Sequence, residues 1–430
     1  MALIGLPCND VTIIGLLIFE NNKATQASKD LRQVKSMCTL GLALNYGEAY
    51  VKTKKIDKQA VLNREVSNGD LIDCVDKREG EAFCNSLLRG HKIQGEPKQS
   101  LRTKKYQLKS RSNKTSQIWS KNETPYPKDH TAPIRHSTYV NTMRANSTSN
   151  FKRKQHSFYR QLRVTGEHEF ATAIYHEPQG VYGVAATINY WKPSVEMGAR
   201  SKEYSSGFIR IKSGTNDNFD LIEAGWHVFP WFYTEEGDTV EDDKTRFFIF
   251  WTNDSRNGLT CYNVEYSGFV LEGSVEPGSE FYPTSVYNGE QRDMFLGIWK
   301  DSRAGRWKLM YNDIVVGHWP ENLFTHLRTR GTHVEWGGEV FNTKNEGRFT
   351  STEMGSGHFA HEGYRRASYF RDLQVKTSGT GNTWIPVSRQ RLSVHTTSPR
   401  YYTFQFESNI GGSGHDGFFY GGPGNNNNPS

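Results

Sequence analysis

From residue 167 onward, apolar and polar positions alternate in short runs, and each run is cut by Gly, Asn, Asp or Pro. Runs at 171–175, 181–191, 206–211, 219–229, 246–251, 267–271, 294–300, 307–311, 314–319, 332–341, 367–375 and 401–406 have the length and the β-branched or aromatic content of strands. Only 320–328 reads as a helix, with Pro320 at its start and Leu323, Phe324 and Leu327 at helical spacing. So many strands without crossover helices predict antiparallel sheets packed face to face, an all-β sandwich.

Before residue 167 the pattern differs. Residues 56–94 mix charge with sparser apolar positions (Val61, Leu62, Leu71, Ile72, Phe83, Leu87, Leu88), which predicts a small mixed module of extended segments and short helices. Residues 97–150 are basic and rich in Ser and Thr, as expected of a connector. The apolar stretch 11–19, followed by Ala24-Thr25-Gln26-Ala27, resembles a signal-peptide core and cleavage site, although Asp10 stands where a basic residue belongs. The chain therefore divides into an atypical N-terminal segment (1–55), a small mixed module with its basic linker (56–166) and a sandwich domain (167–430).

Strand alternation assigns faces. In 219–226, Phe219, Leu221, Glu223 and Gly225 share one face, while Ile222, Ala224 and Trp226 point the other way. In 334–341, Glu335, Gly337, Glu339 and Phe341 share a face, and Val334, Trp336, Gly338 and Val340 form the core-like one. A glutamate with a glycine on its own face is expected to leave room for a substrate backbone.

Composition adds constraints. The 13% aromatic content and 40 glycines against 7 methionines favour β-structure. The net charge of +7 is concentrated in 101–166, where the only acids are Glu123 and Asp129. No recognition helix or nucleic-acid motif accompanies that charge, so a solvated linker is expected and no nucleic-acid partner. Lys152-Arg153-Lys154 is a candidate site for a processing protease, as expected of a basic loop. No run approaches the length of a membrane span. Asn113, Asn122, Asn146 and Asn253 begin glycosylation sequons, which matter if the chain is secreted.

The chemistry centres on carboxylates. Glu223 lies in Ile222-Glu223-Ala224-Gly225-Trp226 and Glu339 ends Trp336-Gly337-Gly338-Glu339. Two carboxylates held close do not both ionise easily, so one keeps its proton as acid while the other draws a proton from water. That is hydrolase chemistry without a cofactor. The same residue types fit a glycoside hydrolase, or a sandwich that only binds a glycan or cell-wall ligand. Five cysteines (Cys8, Cys38, Cys74, Cys84, Cys261) match no zinc or redox spacing, and His358 and His361 lack an evident third metal ligand. No Gly-x-Ser-x-Gly elbow is present.

Taken together, the motifs resemble those of the neprosin family of plant glutamic peptidases with its activation-peptide domain. In the N-terminal region the matching pieces are residues 68–76, Ala82-Phe83, Leu87-Leu88, Gln117-Ile118-Trp119 and Pro133-Ile134-Arg135. In the sandwich they include Ala185-Ala186-Thr187-Ile188-Asn189, Glu223-Ala224-Gly225-Trp226, Cys261-Tyr262-Asn263, Gly317-His318-Trp319-Pro320, residues 334–340, Gly355-Ser356-Gly357-His358-Phe359, Ala367-Ser368-Tyr369-Phe370 and Tyr420-Gly421-Gly422-Pro423-Gly424.

The resemblance implies a secreted or vacuolar zymogen, a glutamic endopeptidase that cleaves proline-containing peptides after proline in acid. It implies Glu223 and Glu339 as the catalytic pair, with Glu335 as the rival for the second position. No cofactor, no membrane partner and a monomer are expected, and the resemblance implies the activation domain as an intramolecular inhibitor over the cleft. Acid would release that inhibitor by protonating carboxylates such as Asp70, Asp73 and Asp76. Both glutamates are kept here, whereas many members carry glutamine at the first. Several of the family's cysteines are absent, Tyr126 standing at one such place. That leaves Cys74 and Cys261 without their usual partners, and either heavier reliance on the core or a local Cys74–Cys84 bridge would compensate.

Overall fold

The computed structural model describes residues 60–65, 70–76 and 131–135, and then 166–426 apart from short stretches at 198–200, 216–217, 235–241, 254–259, 265–267 and 345–347 and single residues at 382 and 413. The signal-like N-terminus, Lys152-Arg153-Lys154, Cys84 and the sequons at Asn113, Asn122 and Asn146 lie outside the described residues.

The described part of the N-terminal module is a three-stranded antiparallel sheet of β1 (Ala60–Glu65), β2 (Leu71–Asp76) and β3 (Thr131–Arg135), in spatial order β1-β2-β3. The sandwich follows in chain order with β4 (Glu167–Val181), β5 (Gly183–Asn189), β6 (Tyr204–Gly214), β7 (Phe219–Val228), β8 (Thr245–Thr252), β9 (Thr260–Tyr262) and β10 (Val270–Leu271). Next come β11 (Asp293–Asp301), β12 (Arg306–Tyr311), β13 (Ile314–Pro320), β14 (Gly331–Asn342) and β15 (Ser368–Lys376). The last are β16 (Ile385–Pro386), β17 (Ser393–Thr396), β18 (Thr403–Glu407) and β19 (Gly417–Gly421). A front sheet runs β17-β4-β14-β6-β7-β8-β9, and a back sheet runs β10-β13-β12-β11-β5-β15-β19-β18 with β16 beside β15. The all-β, antiparallel expectation holds.

The main core lies between these sheets. Ile209, Ile222, Trp226, Ile249, Val334, Trp336 and Val340 from the front sheet pack with Val184, Ile188, Leu296, Ile298 and Leu309 from the back sheet. Burying side chains of this size stabilises by about 2–3 kcal/mol each. Their polar atoms are satisfied as well: Trp226 Nε1 donates to the Asn189 carbonyl (3.1 Å) and Trp336 Nε1 to the Ala185 carbonyl (3.3 Å). The core-like alternation in β7 and β14 is therefore realised.

Gly338 is needed because the two sheets meet there. A Cβ at this position would lie 2.4 Å from Cε2 of the Tyr420 ring on β19 and 2.9 Å from Met354 Cγ. Gly338→Ala is expected to destabilise the fold by about 1–3 kcal/mol, since a buried ring cannot step aside. Chemical denaturation checks this as a lower midpoint at unchanged slope.

The helix expected at 320–328 is reduced to a single 3₁₀ turn, Glu321–Leu323, and Pro320 is the last residue of β13. Tertiary bonds claim the segment instead. Asp220 Oδ2 accepts from the amides of His326 (2.5 Å) and Leu327 (2.8 Å), and Trp307 Nε1 donates to the Leu327 carbonyl (2.8 Å). Apolar spacing reflected burial of Leu323, Phe324 and Leu327, not helical periodicity. Asn253 Nδ2 donates to the Leu323 carbonyl (2.6 Å), so that sequon nitrogen is used inside the fold.

Candidate active site

The outer face of the front sheet carries the carboxylates. Register places Glu335 on β14, Arg210 on β6 and Glu223 on β7 directly opposite one another in a single row. Glu339 lies four residues further along β14, opposite Ser206. On either side this face is mostly aromatic: Tyr204, Phe208, Phe248, Phe250, Tyr262 and Phe341, with Leu221, form a second buried cluster.

One guanidinium joins all three glutamates. Arg210 Nε donates to Glu223 Oε2 (2.8 Å), Nη1 to Glu335 Oε2 (2.8 Å) and Nη2 to Glu339 Oε2 (3.0 Å). Its Cζ stands 4.2 Å from the Phe208 ring centroid, so the charge rests on an aromatic floor. Burial alone would lower the Arg210 pKa, but Glu223, Glu335 and Glu339 outweigh it and raise the value, so the guanidinium keeps its charge.

Glu339 has two further partners. His168 Nδ1 on β4 lies 2.8 Å from Glu339 Oε1, and the Tyr204 hydroxyl donates to the same oxygen. Burial, then the Glu339 carboxylate, push the Tyr204 hydroxyl well above its ordinary pKa, so it holds the proton it donates. Glu335 is different. Its side chain is 22% exposed against 2% for Glu339, and its hydrogen bond in this cluster is to Arg210. Glu223 is fully buried.

The expected glycine gap has another cause. A Cβ on Gly225 would lie 2.0 Å from the Gly207 carbonyl oxygen, and one on Gly337, whose φ is +155°, would lie 2.3 Å from the Ala171 carbonyl oxygen. These glycines admit the neighbouring strands, not a substrate. Other residues singled out in the sequence fall elsewhere. Trp226 and Cys261 are buried between the sheets, and His358 Nδ1 pairs with Glu362 (3.1 Å) beneath the Tyr287 ring.

Beside the site, the activation strands meet the sandwich. Asp70 Oδ2 accepts from Arg246 Nη1 (3.0 Å) and Asp70 Oδ1 from Arg246 Nη2 (2.9 Å), while Arg246 also binds Asp242 (2.7 Å). The Arg135 amide donates to Glu276 Oε1 (2.5 Å), and its guanidinium binds Asp70 (3.2 Å) and lies 5.5 Å from the centroid of the Tyr233 ring. Tyr233 in turn bonds His227 on β7, on the carboxylate face (2.9 Å). Burial raises the Asp70 pKa, but Arg246, then Arg135 and Lys244, outweigh it and hold the carboxyl well below the usual range. Asp70 therefore stays ionised in mild acid, which corrects its expected role as the proton-sensitive group.

The neprosin family model matches residues 201–423, and the neprosin activation-peptide model matches 65–174. The chain belongs to the neprosin family. Membership carries the coarse assignment of a glutamic peptidase with its own activation peptide. The chain is also similar, at 13% identity, to scytalido-glutamic peptidase solved with a peptide-based transition-state analogue, over 60% of this chain and 100% of that one, with a TM-score of 0.32. SCP-B, a member of the eqolisin family of peptidases, solved with the tripeptide Ala-Ile-His, matches at 13% identity over the same shares with a TM-score of 0.30. In this neprosin the activation-peptide match runs into β4, yet β4 pairs with β14 along nearly its whole length and supplies His168 to Glu339. β4 is thus part of the sandwich.

Sequence reasoning missed Arg210, Tyr204 and His168. A signal for Arg210 was available, because an arginine between Ile209 and Ile211 in a strand-like run must be paired or exposed.

Proposed function

We propose that this neprosin is an endopeptidase that cleaves after proline in acid, with Glu223 and Glu339 as its acid–base pair. The observation that carries the reading is the convergence of both glutamates on one guanidinium, on one face of one sheet. The ionised member of the pair takes a proton from water, whose oxygen bonds to the scissile carbonyl carbon. The other member gives its proton to the amide nitrogen as the carbon–nitrogen bond breaks, leaving a carboxylic acid and an amine. Tyr204 and His168 orient Glu339 for either task. Glu335, more exposed and bonded to Arg210, is the less apt second member.

The chain is made as a zymogen, monomeric and secreted or vacuolar in this reading, and its activation region inhibits in cis. Contacts of Asp70 with Arg246 and of Arg135 with Glu276, beside the carboxylate face, support that inhibition. Processing has to fall before Glu167, because loss of β4 would strip β14 of a partner strand.

Acid-treated protein should cut a synthetic peptide with a single internal proline on the C-terminal side of that residue, and should leave the proline-to-alanine peptide intact. Mass spectrometry reads both. Cleavage of the two peptides at equal rates would remove the proline preference. No cleavage of either, together with binding on a glycan array, would favour the non-catalytic sandwich.

A further inference from the structure

We infer that Arg210 is a positioning residue that sets the pH range of catalysis, because its one charge is shared among Glu223, Glu335 and Glu339. This rests on the reading of those two glutamates as the acid–base pair. Three carboxylates compete for one guanidinium at 2.8, 2.8 and 3.0 Å. A single positive charge at that range favours the ionised carboxylates, and it opposes the proton that the acid member of the pair must carry. Activity therefore waits for low pH, and the threshold is written into β6, not into the glutamates themselves.

The other charged or titratable groups on this face do not substitute for Arg210. From β4 comes His168, bonded to Glu339, from β6 come Tyr204 and Lys212, and from β8 comes Arg246, opposite His227 and bonded to Asp70 and Asp242. Tyr204 and, on β9, Tyr262 keep their protons, since burial raises both well above the ordinary range. On β14, His333 stands two residues from Glu335 and opposite Lys212, and it is shifted down by burial and then by His176 and Lys212. His227 on β7 is held between Tyr233 and Tyr262. Among the described side chains, only Arg210 bonds all three glutamates.

The inference predicts opposite displacements from two substitutions. Arg210→Gln removes the charge that resists protonation, so the pH–rate profile should move upward by about one unit or more. Glu335→Gln removes a like charge and leaves Arg210 to the other two glutamates, so the profile should move downward. Arg210→Lys keeps the charge and should stay nearer to wild type in pH range while losing rate, since an ammonium cannot reproduce the fork.

A second readout does not depend on catalysis. Without Arg210, buried carboxylates face one another and take up protons more readily in the folded than in the unfolded chain. Stability of that kind is present at low pH and lost as pH rises. The melting temperature of full-length Arg210→Gln should therefore fall furthest below wild type near neutral pH, and the gap should narrow towards pH 4. An unmoved pH–rate profile, or a melting gap that is constant with pH, overturns the inference. If Arg210→Gln does not fold, the Glu335→Gln profile decides: a downward shift supports the role and no shift overturns it. A wild-type chain with no peptidase activity would sink the functional reading alone, and the melting series would then decide whether Arg210 controls protonation of the cluster.

Discussion

Glu339→Gln is expected to lower the rate of peptide cleavage by about a thousandfold, while Glu335→Gln costs no more than about tenfold at each variant's own optimal pH. The asymmetry follows from the surroundings of the two side chains. Glu339 is buried, bonded to Arg210 and fixed by Tyr204 and His168, so its protonation and direction are both controlled. Glu335 is partly exposed, and its bond within this cluster is to Arg210. A glutamine at 339 keeps the shape but neither takes nor gives the proton, and circular dichroism should show an intact fold. Equal losses at the two positions would mean that both carboxylates touch the reacting atoms. A reversed order would transfer the role to Glu335.

Asp70→Asn is expected to loosen the activation strands at neutral pH, by about 3 kcal/mol, because it leaves the wholly buried Arg246 short of one counter-charge. That is roughly a hundredfold shift in docking. The sign with pH is definite. A carboxyl whose folded pKa is depressed contributes stability above its unfolded value and loses it only as pH falls through the lowered one. Wild-type protein should thus keep the Asp70–Arg246 pair through mild acid. The Asn variant should show faster hydrogen exchange in β2 and β3 at neutral pH, and processing there without acid. Unchanged exchange and an unchanged acid requirement would relieve this pair of any role in latency.

The strands were legible through their length and their β-branched and aromatic content, and in β7 alternation set Ile222, Ala224 and Trp226 together on the side of the main core. The same period set Glu223 and Glu339 on a common kind of face. Cross-strand register was not legible, since it depends on which strands become neighbours. For that reason Arg210, which stands opposite Glu223 and Glu335, stayed hidden within an ordinary-looking run. His168 was hidden for a second reason: it stands just before the recognisable strand 171–175, in the part of β4 that only pairing with β14 extends. The false helix at 320–328 failed through the opposite effect, because Asp220, more than a hundred residues away, captured its amides. Short strands such as β9 and β17 carry too few residues for any period to emerge.

The central claim is that Glu223 and Glu339 act as one unit on one water. Rates of cleavage of a single-proline peptide by acid-treated wild type, Glu223→Gln, Glu339→Gln and the double variant test it most directly. Groups that share a step are not additive, so each single variant should be about as slow as the double. Losses that multiply, or either single variant cleaving at the wild-type rate, would contradict it.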